Sequence, residues 1–460
     1  MTSGMESIIM KTIPAHVAVT KKESAMAKIT VDFNNVCGKI KPMHAVNNMP
    51  TCPINSQNDW DGKMKAAHIP YGRLHDTGGA YGGARYVDVP NVFPDFDADE
   101  NDPASYDFSF TDVLLARMVE SGVMPYYRLG VTIENFHYIK AYRIFPPKDF
   151  AKWARICEHI ILHYNEGWAN GYHYNIEYWE IWNEPDNQPD SKDNPMWKGT
   201  MEEYFRLYEV TASHLKARFP HLKIGGYASC GFYALRKVDV SATANSTPRT
   251  EYFIEFFIKF LEYIRERNLP LDFFGWHSYA KVEDNLFFAT YPRQMLDEYG
   301  YSNCEIHLNE WNPGIKLRGT LKDASNILSM MIALHGTPTD MCMYYDMRYW
   351  SGYCGAVDPV SLEPFPAYYA FYGFGALYAL GKQVECCVDG EGIYALAATD
   401  GKKKRLLLVN ANDRAVSVNI SGISQGAKIY TLDSTHHFEE VSADPNAMTV
   451  EANAIVMLEQ

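Results

Sequence analysis

The sequence lacks the motifs of several common hydrolases and has no long apolar run near its start. It contains no His-Glu-x-x-His pair and no Walker loop, so zinc peptidase and P-loop chemistry have no support. Residues 1–26 contain no apolar stretch long enough for the core of a signal peptide or for a membrane span. We therefore expect a cytoplasmic protein with no membrane partner.

Cysteines with the spacing of a disulfide framework and runs of basic residues are also scarce. The nine cysteines are scattered without framework spacing, and no pair has the spacing of zinc ligands, so we expect free thiols, no metal and no cofactor. The formal net charge is −14, and the one basic run, 402–405, follows Asp-Gly as a solvated hairpin tip would. This charge argues against a nucleic-acid partner. A homo-oligomer is left open.

Aromatic residues are abundant, with 32 Tyr and 9 Trp in 460 residues. Most of them are expected in the core, and the remainder are suited to packing against the flat C–H faces of sugars. The length fits one large α/β barrel with an appended domain better than several small domains.

The segment 178–186 predicts a buried strand that ends on a carboxylate. Its Tyr, Trp and Ile residues can pack on both faces of a parallel strand, and Pro185 cannot donate to a sheet, so the strand must stop and present Glu184 at a rim. In α/β barrels this rim carries the active sites. The competing interpretation is an ordinary strand end whose Asn and Glu cap the following turn.

The segment 304–314 repeats this design, because a short alternating strand ends in Asn309-Glu310 and is followed by a Trp-Asn-Pro-Gly turn. Trp-Asn-Glu-Pro on one strand and Glu-Trp-Asn on a later one resemble the fourth and seventh barrel strands of the clan A glycoside hydrolases. Within that clan the chain most resembles family 39, the family of β-xylosidases and α-L-iduronidase.

Other segments follow the order that this resemblance implies. The first, second, third, fifth, sixth and eighth barrel strands match 38–48, 71–76, 122–130, 223–228, 271–279 and 340–346. Periodic apolar residues predict helices at 111–120, 149–164, 202–219, 251–266 and 323–334. This alternation is typical of an α/β fold.

We therefore predict a (β/α)8 TIM barrel over residues 37–380 and a small antiparallel β-sandwich over 381–460. Short alternating strands are predicted in the latter at 392–398, 405–409, 416–420, 428–432 and 454–458. The N-terminal segment 1–36 should contribute the strand 27–33 to this sheet. The apolar run 13–19 could pair with the same sheet.

The resemblance implies a retaining exo-glycosidase that cleaves terminal β-D-xylosides or related pentosides by double displacement, with Glu184 as acid/base and Glu310 as nucleophile. Burial against Trp182 and the charge of Glu310 should keep Glu184 protonated near neutral pH. The resemblance implies that Asn183 binds the sugar and that Arg73, His277 and Tyr279 lie near the two carboxylates. We also expect His44, His75, Trp311 and Tyr345 to bind the sugar, with Asn47 close by; of these, His44, Trp311 and Tyr345 lie in segments that depart from the family pattern. A core position satisfied by one hydrogen bond is the competing interpretation for His277.

Two alternatives remain open. Action on uronic acids, as in α-L-iduronidase, would need basic residues at the pocket, for which Lys41, Arg73 and Arg128 are available. A non-catalytic carbohydrate-binding barrel is disfavoured because both glutamates are present.

The long loop 77–102 and the aromatic run 344–353 should lie over the same rim and wall off one end of the cleft, which predicts exo action. A surface insertion without function is the competing interpretation for the loop.

Overall fold

The computed structural model describes residues 26–50, 59–76, 86–134, 143–236 and 247–460. Strand β1 (Ala27–Lys39) belongs to a separate sheet, and the next eight strands close into a parallel barrel in chain order. These eight are β2 (Ala45–Asn47), β3 (Tyr71–Leu74), β4 (Met124–Leu129), β5 (Tyr178–Ile181), β6 (Lys223–Ser229), β7 (Phe273–Ser278), β8 (Glu305–Trp311) and β9 (Met341–Tyr344). The predicted TIM barrel is confirmed, with β5 and β8 as its fourth and seventh strands.

The helices of the described chain are α1 (Trp60–Ala66), α2 (Val89–Val92), α3 (Ser109–Glu120), α4 (Phe150–Glu166), α5 (Met201–Arg218), α6 (Thr247–Glu266), α7 (Val282–Phe288), α8 (Thr290–Glu298), α9 (Leu321–His335) and α10 (Pro366–Tyr378). Helix α5 starts at Thr200, whose side chain forms a capping box with Glu203. Helix α4 ends at Gly167, whose φ of 77° suits glycine. Within the described ranges, no helix combines the length and apolarity required to cross a membrane.

Aromatic side chains fill the barrel interior beneath the carboxyl-end rim. The Tyr126 and Tyr178 rings stack with centroids 5.3 Å apart, and Phe273 stacks on His307 at 5.1 Å. Tyr126 and Phe273 are fully buried. Side chains at the rim therefore pack against a tightly filled barrel interior, which limits their movement.

The second sheet has nine strands, in the order β15-β14-β17-β12-β11-β10-β1-β13-β16. Its other members are β10 (Lys382–Asp389), β11 (Ile393–Thr399), β12 (Lys404–Asn410), β13 (Val416–Ser421), β14 (Lys428–Leu432), β15 (His437–Val441), β16 (Met448–Val450) and β17 (Ile455–Glu459). Strand β1 does join this sheet, but it runs antiparallel to β10 and parallel to β13. The sheet is therefore mixed, whereas the sequence predicted a purely antiparallel one.

Strand β12 of this sheet is buried on both of its faces. On β12, Leu407 and Val409 pack into the core that is continuous with the barrel, and Leu406 and Leu408 pack into a second core that includes Ile29 of β1. Alternate residues of a strand point to opposite faces, so β12 can serve both cores. The sheet is thereby packed against the barrel rather than tethered to it.

Two segments singled out in the sequence fall partly or wholly outside the described residues. The run 13–19 lies outside them, as does the first part of the loop 77–102. The described part of that loop includes helix α2, where Val89 and Val92 are buried.

Candidate active site

Glu184 stands in a tight turn directly after β5. Trp182 and Glu184 have φ values of 71° and 43°, a left-handed conformation that side-chain-bearing residues seldom adopt. The turn is held in place because the Glu184 amide donates to the Ala228 carbonyl at 3.0 Å and the Trp182 indole donates to the Met196 carbonyl at 2.9 Å. Since Trp182 is fully buried, its packing anchors the turn that presents the Glu184 carboxylate.

Glu310 lies near the end of β8 and is 7% exposed. The Tyr279 hydroxyl donates a short hydrogen bond to Glu310 Oε1, and Arg73 Nη1 lies 3.5 Å from Glu310 Oε2. Tyr279 comes from the segment after β7 and Arg73 from β3. Donors from two other barrel segments therefore surround this carboxylate.

His277, on β7, lies between the two glutamates. Its Nδ1 atom is 2.7 Å from Glu184 Oε1 and 3.5 Å from Glu310 Oε2. One oxygen of each carboxylate and one ring nitrogen lie within 4.8 Å of one another. These three atoms could hold a cation, but Nδ1 and Oε1 are already joined by a hydrogen bond, so the cluster is better suited to sharing protons.

Arg73 connects the Glu310 carboxylate at the rim to polar side chains deeper in the barrel. Its guanidinium donates to Glu180 at 2.8 Å, to Asn47 Oδ1 at 3.1 Å and to Asn183 Oδ1. Asn309 also donates to Glu180, so this fully buried carboxylate has the partners that a buried charge requires. These contacts involve side chains from four barrel strands and the turn after β5.

Asn183 has one donor left over. Its Oδ1 accepts from Arg73, while its buried Nδ2 finds no hydrogen-bond partner among the described residues. The acceptor end of this amide is therefore occupied, and the donor end is free for a ligand oxygen.

Burial and charge shift the pKa values of all three central groups. Burial raises the pKa of Glu310 to about 7, although His277 and Arg73 act against it. Burial also acts to raise the pKa of Glu184, but the hydrogen bond and charge of His277, the hydrogen bond from Asn187 and the charge of Arg249 together outweigh it and lower the pKa. Burial disfavours the charged form of His277, yet the charge of Glu310 and the bond with Glu184 raise its pKa. These shifts favour ionised Glu184 and protonated His277 in the free site, whereas the sequence predicted a protonated Glu184 near neutral pH.

Side chains from β3 and from the segment after β9 close one side of the rim. The Tyr345 hydroxyl donates to Asp76 Oδ2 at 3.1 Å, and Arg348 donates to the Asp76 carbonyl and, at 2.7 Å, to Asp346. His75 Nε2 lies 3.4 Å from Asp76 Oδ2. Burial lowers the pKa of His75 well below its usual value. His75 and Tyr345 thus belong to one buried polar network beside Arg73.

A cavity of about 790 Å³ opens on the other side, next to Glu184. The loops after β4 and β5 supply much of its lining, including Ile133, Phe145 and Lys198. Glu184, His277, Tyr279 and Glu310 also face it. The site is therefore roomy beside Glu184 and closed beside Asp76.

The structure does not bring His44 or Trp311 to this cluster. His44 precedes β2, at the end of the barrel opposite the rim, where its Nε2 atom lies 2.9 Å from the His68 carbonyl and its ring faces Phe374 and Tyr378. Trp311 follows Glu310 on β8, so alternation turns its side chain outward, where it packs on Tyr344. Asn183, Arg73, His277, Tyr279, His75 and Tyr345 are gathered at the rim.

Several residues of the site were not singled out in the sequence. Asn187 donates to Glu184 Oε2 at 2.7 Å, and Arg249 donates in turn to Asn187. Asn187 follows Glu184 in a turn and could have been suspected from that proximity. Arg348 lies within the run 344–353 that the sequence places over the rim, although its own role was not predicted. Arg249 carries no local signal, because only the closed barrel brings it to the rim.

Comparisons with known proteins agree with this geometry. The family model described as glycosyl hydrolases family 39 matches residues 27–348. A β-xylosidase of Geobacillus stearothermophilus is 26% identical over 273 residues, covering 53% of this chain and 45% of that enzyme. A β-xylosidase of Caldicellulosiruptor saccharolyticus is 27% identical over 241 residues, covering 48% of this chain and 44% of that enzyme. The matched stretch thus spans a little under half the length of these curated relatives.

Solved structures share the fold over nearly the whole chain. A glucosidase of Croceicoccus marinus matches with a TM-score of 0.73 at 20% identity, covering 95% of this chain and 99% of that one. A monomeric β-xylosidase of Caulobacter crescentus matches with a TM-score of 0.65 at 15% identity, covering 94% and 99%. The structural likeness concerns the fold, and the family model concerns the sequence. The chain belongs to glycosyl hydrolase family 39.

Proposed function

We propose that the protein is a retaining exo-glycosidase that cleaves terminal β-D-xylosides or related pentosides. The observation that carries this proposal is the pair formed by Glu184 in the turn after β5 and Glu310 near the end of β8, with carboxylate oxygens within 4.8 Å of each other. Retaining enzymes hold their carboxyls about 5 to 5.5 Å apart, whereas inverting enzymes need roughly 6.5 to 9.5 Å to admit a water. The observed spacing favours the retaining arrangement.

In the first step, Glu310 attacks the anomeric carbon and forms a covalent ester, while the bond to the leaving oxygen breaks and that oxygen takes a proton from Glu184. In the second step, water attacks the same carbon. Glu184 takes the proton of this water, and Glu310 is released as the carboxylate. The two inversions at the anomeric carbon give overall retention.

The proton that Glu184 must deliver lies one hydrogen bond away in the free site. His277 Nδ1 is 2.7 Å from Glu184 Oε1, so movement of a proton along this bond gives protonated Glu184 and neutral His277. Glu310 must be ionised to attack, and its pKa of about 7 means that it loses its proton as the pH rises through neutrality. The active protonation state is therefore reached without rearranging the side chains.

The neighbouring donors support a pyranoside in this position. Asn183 Nδ2, which is buried and without a partner among the described residues, is placed to donate to the sugar 2-hydroxyl, a contact that strengthens as charge develops at the anomeric carbon. Tyr279 and Arg73 hold Glu310 in its attacking orientation. The preference for β-xylosides comes from the named activities of the two curated relatives.

The uronic-acid alternative has less support. Lys41 donates to the carbonyls of Thr337 and Thr339 at the opposite end of the barrel, and the Arg73 guanidinium is engaged by four side chains. Of these three basic residues, Arg128 has donors without a partner among the described residues, and it already pairs with Asp88 at 2.9 Å.

A panel of aryl glycosides tests the proposal. We expect cleavage of the β-D-xyloside, or of a related pentoside, to exceed cleavage of the uronide, and NMR should show that the first sugar formed has the configuration of the substrate. A first product of opposite configuration would contradict the retaining mechanism. Cleavage of the uronide alone would contradict the substrate class.

A further inference from the structure

A chain of hydrogen bonds runs from helix α6 to Glu184. Arg249, in the first turn of α6, donates from Nε to the Asn187 backbone carbonyl at 2.7 Å and from Nη2 to the Asn187 side-chain Oδ1 at 3.2 Å. Asn187 Nδ2 then donates to Glu184 Oε2 at 2.7 Å. Asn187 is 7% exposed, so water has little access to replace these bonds.

Arg249 determines which end of the Asn187 amide faces Glu184. A side-chain amide has one acceptor end and one donor end, and a guanidinium has only donors. With Arg249 bound to Oδ1, the NH2 group must point at the Glu184 carboxylate. The flipped amide would place NH2 against the guanidinium and oxygen against the carboxylate, which makes both contacts repulsive.

We propose that Arg249 is a positioning residue for Glu184, acting through Asn187. It fixes the amide so that Glu184 Oε2 remains an acceptor, and this leaves Oε1, beside His277, to carry the transferable proton. Arg249 needs no contact with the reacting atoms in this role. The inference rests on the proposed acid/base function of Glu184.

Arg249 also influences the charge of Glu184. After burial and His277, the bond from Asn187 and the charge of Arg249 are the next causes that set the lowered pKa of Glu184. The other ionisable groups whose pKa values respond to Glu184 are Glu310 on β8, Asp186 in the same turn, Cys230 after β6, Tyr233 and Tyr353. Loss of Arg249 should therefore loosen Glu184 and raise its pKa.

Helix α6 offers a matched control. The Arg249 guanidinium lies over the Phe253 ring at 5.1 Å, and the Arg265 guanidinium, at the other end of the helix, lies over the Tyr299 ring at 4.5 Å. Arg249→Met and Arg265→Met each remove a guanidinium that is stacked on a ring. Only the first removes the contact with Asn187.

The experiment compares kcat/KM for a xyloside with a poor, unactivated leaving group and for an activated aryl xyloside. For Arg249→Met we expect the loss on the poor leaving group to be roughly tenfold greater, because only that substrate needs the proton. The alkaline limb of the pH profile of kcat/KM should move to higher pH, because a raised pKa keeps Glu184 protonated up to a higher pH. Arg249→Lys should recover part of the loss, and Arg265→Met should change neither readout.

A double variant tests whether Asn187 transmits the effect. In an Asn187→Ala background, Arg249→Met should lower kcat/KM by less than about twofold further, because residues that act through one contact are not additive. Equal losses on both substrates, a change in KM alone, or full additivity would each overturn the positioning role while leaving the proposed glycosidase intact. A wild-type protein that cleaves no glycoside would instead overturn the proposed function.

Discussion

At the residue scale, Glu310 is the side chain whose loss should be most damaging. We expect Glu310→Ala to lower turnover by on the order of 10⁴-fold, as for other essential members of a catalytic unit, while the protein still folds. External azide should restore turnover by attacking from the vacated face, giving a product of inverted configuration. Kinetics and NMR of the product check this, with thermal unfolding as the folding control. Activity close to that of the wild type would contradict the assignment.

The loss of kcat/KM caused by Glu184→Ala should depend on the leaving group of the substrate. A poor leaving group needs protonation, whereas an activated phenolate departs without it, so the loss should be about 10² to 10⁴-fold for the former and much smaller for the latter. The measurement is kcat/KM across a series of aryl xylosides of graded leaving-group pKa. A flat dependence in the variant, with the same loss throughout, would argue against the acid/base role.

Tyr279→Phe should shift the acid limb of the pH profile. The Tyr279 hydroxyl donates to Glu310 and thereby lowers its pKa against the larger effect of burial. Without this donor the pKa of Glu310 should rise above about 7, so the ionised nucleophile, and with it kcat/KM, should appear only at higher pH. The pH dependence of kcat/KM measures this shift. A limb that stays fixed or moves to lower pH would refute it.

The residues that the sequence could predict are those fixed by their own strand. Glu184 and Glu310 are set by strand ends, and His277 and Tyr279 by their two-residue spacing. His44 could not be placed, because its position at the wrong end of β2 depends on where that short strand begins. Arg249 acts across the fold, and no local pattern marks it.

At the element scale, helix α9 contains a strained carboxyl near its start. Asp323 is 1% exposed, and its Oδ1 finds no partner among the described residues. Burial raises its pKa to about 7, so stability that is present at low pH is lost as the pH rises through that value, where the folded protein must hold a buried charge.

Asp323→Asn should therefore stabilise the protein at pH 8 and change little at pH 4. The gain should be a few kcal/mol at most, since each unit of pKa shift corresponds to about 1.4 kcal/mol. Urea unfolding at the two pH values gives the comparison. If the variant were less stable than the wild type at pH 8, burial of an ionised Asp323 would not be the source of strain.

Helices and strands whose apolar residues repeat with a clear period were predicted well, and short or irregular elements were not. Helix α4 repeats apolar residues at helical spacing and has a cap at each end, so its pattern was unambiguous. Strands β15 and β16 lack this clarity, because β15 is mostly exposed and β16 has only three residues. The parallel pairing of β1 with β13 joins parts of the chain that are distant in sequence, and neither strand carries a sequence pattern that indicates its partner.

At the scale of the whole molecule, the shape of the site predicts attack on chain ends. The contacts of Tyr345 and Arg348 with Asp76 close one side of the rim, and the cavity of about 790 Å³ opens on the side of Glu184. We therefore expect a sugar chain to enter by its non-reducing end. Chromatography of a xylohexaose digest should show xylose and the pentamer from the earliest times. Early fragments of intermediate length would show an open cleft.

The nine-stranded sheet also bears on how copies of this chain meet. Sheet edges invite pairing with another strand unless charge, irregularity or shortness prevents it. In the described part of the chain, one edge is β15, with Glu439 and Glu440 exposed and a register shift against β14. The other edge is the three-residue β16. Both edges discourage continuation into a neighbouring molecule, so strand-by-strand association of subunits, and the aggregation that can accompany it, is disfavoured by the fold itself.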